Sequence, residues 1–262
     1  MDSPQPIELE RPRSVAEIIA EALEIYQRYP LLFIVLALGV VAPYELAVLA
    51  ATDLGPLAGG SHASPGVSLL LFLLDYALVG PLVSALHIHG VMLIGQGVRP
   101  SLAQVAVRGL RVLAVVVAAV IAAGMGIGLG LIALIIPGIL LALRWSVVAQ
   151  VAAVEHEGWL PSLRRSGELT RGHYWHVFWL LLIIGLLTSG VGIAAQAIDI
   201  GSSEGVASVA LGIVLRTLTL SFSALALAIL YFDLRARQRG QTPSSEPEEE
   251  RRSDHEERPE PD

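Results

Sequence analysis

P-S-L-R-R-S-G-E-L-T-R-G-H-Y-W-H-V-F-W, residues 161–179, starts charged and amphipathic and ends as the opening of an apolar run. Arg164, Arg165 and Arg171 crowd its first half, and Tyr174, Trp175 and Trp179 follow at once. Basic residues beside a long apolar segment mark the cytoplasmic flank of a membrane span, and aromatic residues anchor at the headgroup level. The pattern of a polar helix feeding a hydrophobic hairpin occurs three times, opening near Ser14, Ser101 and Ser162. An all-α, polytopic membrane fold follows.

Composition agrees. Of 262 residues, 54% are hydrophobic and only 16% charged, against about 25% charged in soluble domains. Mean hydropathy is +0.65. There is no cysteine, and all 17 basic residues are arginine. The net charge of −7 belongs mainly to the C-terminal end, which holds nine acids and three arginines from Gly240 onward. No cleavable signal peptide is expected, because the first apolar run is too long and too late.

Apolar runs of about 18–20 residues span a bilayer. Six are read here, over about 31–51, 67–93, 112–135, 139–154, 175–195 and 206–232. The fourth is the shortest. Pro43 and Pro81 are expected to kink the first and second spans, and Pro137-Gly138 to make a tight turn after the third. The loops after spans one, three and five carry no arginine, whereas the other connections do. The positive-inside rule therefore puts both termini in the cytoplasm and arranges the spans as three in-out-in hairpins. Such hairpins are parallel repeats, unlike the inverted repeats of many transporters. Cytoplasmic amphipathic helices precede the hairpins, the first capped by the S-V-A-E box of Ser14 and Glu17 and the second by Ser101 and Gln104. Residues 1–13 read as a disordered leader, 14–237 as the membrane domain and 238–262 as a disordered acidic tail.

At residues 161–178 the chain resembles a known family. Ser166, Leu169, Thr170, Gly172 and Trp175 look like the S-x-x-L-T-x-G-x-x-W segment of the membrane domain attached to some glycerophosphoryl diester phosphodiesterases. The R-S-V-A-E-I-I-A-E-A-L-E-I-Y opening, I-P-G-I-L-L-A-L-R-W around Pro137, and Y-F-D-L-R-A-R after the last span are similar to it as well. The resemblance covers about residues 12–237. Gly167 departs from it, since an aromatic residue is expected there. The catalytic barrel's H-R-G and E-N-T-like signatures are absent from this sequence, so the resemblance implies a stand-alone membrane part and no phosphodiesterase activity.

Charges inside spans point to function or to pairing, because an unpaired one costs about 2.5–3.5 kcal/mol on insertion scales. Glu45, Asp75, Arg144 and Arg216 are those charges. At about 1.5 Å of rise per residue they lie at similar depths. Two readings stay open: ion pairs Asp75–Arg216 and Glu45–Arg144 that set helix register, or a polar cavity for a headgroup or ion. His87, His89, His156, His173 and His176 are expected at the cytoplasmic rim, as interfacial residues before metal ligands. The overlapping pairs Gly124/Gly128 and Gly126/Gly130 permit close helix approach, inside the bundle or in a homo-oligomer.

No phosphate loop, nucleophile elbow or zinc motif occurs, and the arginine clusters form no nucleic-acid module. No catalytic residue, metal or other cofactor is therefore expected. Membrane lipids, and possible assembly with other membrane proteins or a second copy, are the expected partners. A structural or lipid-interacting membrane domain leads the readings. A transporter or exporter of a small solute or lipid is the alternative, and a headgroup enzyme using the histidines with Glu155 and Glu157 is the third.

Overall fold

A computed structural model describes residues 8–52, 64–155, 157–201 and 206–241. Among these residues the fold is all helix, and six helical stretches are long and apolar enough to cross a membrane: Pro30–Ala50, Pro65–Gly95, Leu102–Ala133, Ile135–Glu155, Tyr174–Val191 and Val209–Gly240. The protein is therefore polytopic, as the apolar runs indicated.

The amphipathic α1 (Val15–Arg28) opens with a complete capping box: Ser14 Oγ accepts from the Glu17 amide, and the Glu17 carboxylate accepts from the Ser14 amide. Ile18, Ala22 and Ile25 recur at helical spacing and are buried. Tyr29 breaks the helix just before Pro30, whose ring disfavours helical backbone at the preceding residue. The helix α2 (Pro30–Thr52) then runs unbroken through Pro43.

The second span is α3 (Pro65–Leu74), a π-helical turn (Asp75–Val79) and α4 (Gly80–Gly95). Pro81 has no N–H to give the Ala77 carbonyl and its ring crowds that carbonyl. The chain widens into the π turn, with the Gly80 amide bonded to the Asp75 carbonyl. The expected kink at Pro81 is thus a π-bulge, a feature frequent at functional sites.

The polar stretch after Ser101 forms no separate helix. Ser101 caps it, but α5 (Leu102–Ala133) continues directly into the third span. Gly109 does not interrupt it, being packed against Leu86, whose Cδ2 lies 2.7 Å from where a Cβ would sit. The reversal that follows falls on extended Leu134, three residues before the expected turn. Pro137 sits in the first turn of α6 (Ile135–Arg144), where a missing N–H does no harm. Gly138 packs on Gly130 at the crossing, 3.0 Å from Cα to Gly130's virtual Cβ.

The fourth span is broken. Residues 145–147 form turns between α6 and α7 (Val148–Glu155). The short α8 (Trp159–Thr170) starts three residues before Ser162, whose hydroxyl instead donates back to the Gly158 carbonyl at 2.6 Å. Gly172, at φ +82°, takes the left-handed turn that separates α8 from α9 (Tyr174–Gly201). The last helix, α10 (Val206–Gln241), touches α1, α2, α4, α7, α8 and α9 and is the axle of the bundle.

The tight core lies toward the arginine-rich end of the axle. Leu225, Ile229, Leu230, Tyr231 and Leu234 of α10 pack with Ile88, Val91 and Ile94 of α4. Toward the other end the helices present apolar residues outward, among them Phe72, Leu129, Ile132, Leu186 and Ile193. Lipid tails are as apolar as these side chains, so no water-driven burial is needed there.

Residues 8–13 of the expected leader are docked, not free. Arg13 is 1% exposed. Residues 238–241 belong to α10, and 1–7 and 242–262 lie outside the described residues.

Candidate functional site

Glu45, two residues past Pro43 on α2, and Asp75, first residue of the π turn, converge on Arg216 of α10. One guanidinium serves both: Nη1 donates to Glu45 Oε1 and Nη2 to Asp75 Oδ1. The Tyr44 ring lies beneath it, 5.0 Å from Cζ to centroid, and Tyr44 donates its hydroxyl to the Leu71 carbonyl at 3.0 Å. The arrangement ties spans one, two and six together. Its side chains are partly open, at 34% for Arg216, 22% for Glu45 and 39% for Asp75.

The expected Asp75–Arg216 pair is present. The expected Glu45–Arg144 pair is not, because Glu45 joins the same guanidinium as Asp75. Arg144 stands elsewhere, against α8: its stem crosses Gly167, with Nε 2.5 Å from the glycine's virtual Cβ. Counting residues along a straight span misplaced it, since the break at 145–147 redirects the helix that carries it.

With two carboxylates and one guanidinium, the triad holds one surplus negative charge, so an added cation is favoured and an added anion is not. Asp75 and Arg216 stand in the walls of two cavities. The first, about 380 Å³, lies among the π turn, α4, α5, the break in span four and α10, and is lined also by Ser84, Ser146, Gln150 and Ser223. Gln150 donates to Ser84 at 2.8 Å, while Gln150 Oε1 and Ser146 Oγ are buried without a protein partner. The second, about 410 Å³, lies between α9 and α10 beside Thr188 and Thr219. The hydroxyls of Thr219 and Ser223 bond back to carbonyls four residues earlier, so they are satisfied within their own helix.

A second polar network, at the arginine-rich end, escaped the sequence reading. All five N–H donors of buried Arg13 are used: Nε and Nη2 reach Glu21 at 2.5 and 2.8 Å, Nη2 also reaches the Glu8 carbonyl, and Nη1 the Leu9 and Arg11 carbonyls. Fully buried Asp233 accepts from the Arg13 amide at 2.5 Å and from Arg237 at 2.9 Å. His176 Nε2 is 3.0 Å from Asp233. Glu10 meets Arg235 and Arg239. The Asp233/Arg237 spacing of four was the available signal. Arg13 gave none: its side-chain partners Glu8, Leu9, Arg11 and Glu21 lie within eight residues but follow no regular spacing, and its amide reaches Asp233 from 220 positions away.

The expected motif residues have distinct positions. Ser166 donates to the Arg144 carbonyl at 3.0 Å, and the Thr170 hydroxyl is shared between that carbonyl at 3.2 Å and the Ser166 carbonyl at 3.0 Å, so the two residues cap the helix that ends there. Leu169 is buried, Gly172 turns the chain, and Trp175 is 74% exposed, pointing outward.

The histidines do not form one rim. His87 is buried deep in the bundle, its Nδ1 donating to the Val83 carbonyl at 2.8 Å and its Nε2 accepting from Ser221 at 2.7 Å. His89 bonds the Ala85 carbonyl at 2.7 Å. His173 has its pKa held below the usual value by burial, with nearby Arg237 and His176 acting the same way. His156 lies outside the described residues. Among the described residues no three His, Asp or Glu side chains are placed to hold a metal ion.

Three of the four glycines in the overlapping pairs pack against this chain itself. Gly124 faces Tyr76, Gly126 faces Trp145 and Gly130 faces Gly138, while Gly128 has open space beyond it. Comparison with protein-family models, with curated proteins and with solved structures finds no match to this chain.

Proposed function

We propose that the protein is a non-catalytic, multi-pass membrane domain that organises lipids or partner proteins around a rigid bundle, in the manner of the membrane domain attached to glycerophosphoryl diester phosphodiesterases. The observation that carries this reading is that Arg216 is held by both Glu45 and Asp75. Charges in the spans are thereby used to join helices, which is a structural use of costly groups. Ser166 and Thr170, two of the residues that carry the family likeness, cap α6 and so also have structural work. Gathering of Arg13, Arg235, Arg237 and Arg239 where residues 10–13 meet the last turns of α10 supports a bacterial plasma-membrane orientation with both termini in the cytoplasm. Reporter fusions at residues 60, 137 and 201 test the orientation, and activity of a cytosolic reporter at those sites overturns it.

A transporter of a small cation or of lipid is the second reading. The two cavities that meet at Asp75 and Arg216 favour it. Proteoliposomes separate the two. The scaffold reading expects no release of trapped cations and no faster exchange of fluorescent lipid between leaflets than in empty vesicles. Flux that the wild-type chain supports and Asp75→Asn abolishes would establish the transporter instead.

A further inference from the structure

The cavity beside α8, about 720 Å³, is lined by Arg144, Trp145, Glu157, Leu160, Pro161, Leu163, Arg164, Arg165 and Glu168. Its charges divide into two kinds. Arg164 and Arg165 are neutralised by Glu168 and Glu155. Arg144 and Glu157 are exposed and, among the described residues, neither has an ion-pair partner, although both line this one cavity. The Arg144 backbone is fixed by Ser166 and Thr170 at its carbonyl, and its side chain passes over Gly167, where a Cβ would lie 2.5 Å from Nε. Gly167 is thus the small residue that lets α8 approach this arginine. The remaining wall, Trp145, Leu160, Pro161 and Leu163, is apolar, and Leu160 is 60% exposed.

We propose that this cavity is a binding site for an ethanolamine phospholipid, its phosphate on Arg144 and its primary ammonium on Glu157. A guanidinium matches a phosphate with two parallel hydrogen bonds. The Glu157 carboxylate, which lines the same cavity, takes the ammonium, and the apolar wall takes the first part of an acyl chain. One zwitterion satisfies two charges that the protein leaves apart. A choline headgroup has no N–H to donate to Glu157, and a glycerol headgroup has no cation to offer it. Free phosphate would leave both Glu157 and the apolar wall without a partner. The inference rests on the lipid-embedded reading of the chain and assigns it a lipid class.

The test is native mass spectrometry of the full-length protein in detergent, titrated with dioleoyl phosphatidylethanolamine, phosphatidylcholine or phosphatidylglycerol, or with inorganic phosphate. The wild type is expected to retain the ethanolamine lipid in preference to the others. Arg144→Gln should weaken it at least about tenfold. Glu157→Gln should reduce the preference for ethanolamine over glycerol about fivefold while leaving phosphate recognition intact. Glu157 is exposed, so this variant remains informative even where Arg144→Gln fails to fold. Equal binding of all three lipids, binding of phosphate without lipid, or an unchanged preference in Glu157→Gln overturns the proposal. A chain that inserts and stays tight to solutes, yet shows no ethanolamine preference, refutes this inference alone and leaves the scaffold reading standing.

Discussion

Replacing Arg216 with leucine removes the one cation that two span carboxylates share. Glu45 and Asp75 both bond the same guanidinium, so they are left as close like charges with no partner. An unpaired carboxylate in a span costs about 2.5–3.5 kcal/mol on insertion scales. The side chains are 22–39% open, which lets water relieve part of this. A loss of about 2–3 kcal/mol is therefore expected, because partial solvation offsets some of that cost. At about 2–4 °C per kcal/mol for a chain of this size, the unfolding midpoint should fall by about 4–12 °C. Tryptophan fluorescence during heating in a fixed detergent measures it. The charge surplus makes a second, opposite expectation: Glu45→Gln keeps an acceptor for Nη1 and relieves repulsion, so it should stay within about 1 kcal/mol of wild type. Exchanging the charges, Asp75→Arg with Arg216→Asp, should recover part of the loss. An Arg216→Leu protein that melts with the wild type, or a Glu45→Gln protein that is equally damaged, would refute the shared-cation argument.

Arg13→Lys should destabilise by about 3 kcal/mol or more, since a buried ammonium cannot replace five forked donors and Glu21 is left poorly paired; the same melting assay reads it, with loss of the docked N-terminal segment visible as new protease cleavage before Ser14. Gly138→Ala should cost about 1–3 kcal/mol, because its Cβ would lie 2.6 Å from the Leu131 amide nitrogen, whereas Gly128→Ala meets nothing within 4 Å and should be neutral or stabilising by up to about 1 kcal/mol. Light scattering on the Gly128 variant checks the other use of that face, and a change in oligomeric state would show that Gly128 serves a contact between copies. For pH, the sign follows from His173: its pKa is lowered in the fold, so the unfolded chain binds the proton more readily, and stability should fall as pH drops through the ordinary value of 6.5. Chemical denaturation from about pH 8 down to about pH 5.5, a range that brackets the ordinary histidine value, follows this. His173→Gln should flatten the slope; an unchanged slope assigns it to other groups.

The six spans, the capping box at Ser14 and the charged residues within the apolar runs were legible in the sequence, because hydropathy and capping are properties of neighbouring residues. Bilayer length alone decides how many such runs a chain can place across a membrane. The Asp75–Arg216 pair could be expected for the same reason: a charge in lipid needs an opposite charge, and few were available. What local pattern could not decide is where a helix bends and what then comes within reach. The π turn after Leu74, which carries Asp75, and the break at 145–147, beside Arg144, shift side chains by distances that residue counting does not contain; Arg144 meets Gly167, and Glu45 is left to share Arg216 with Asp75. Arg13 meeting Asp233 joins residues 220 positions apart. Only the packed bundle determines such contacts, since ion pairs and hydrogen bonds act over a few ångströms in space and carry no memory of separation along the chain.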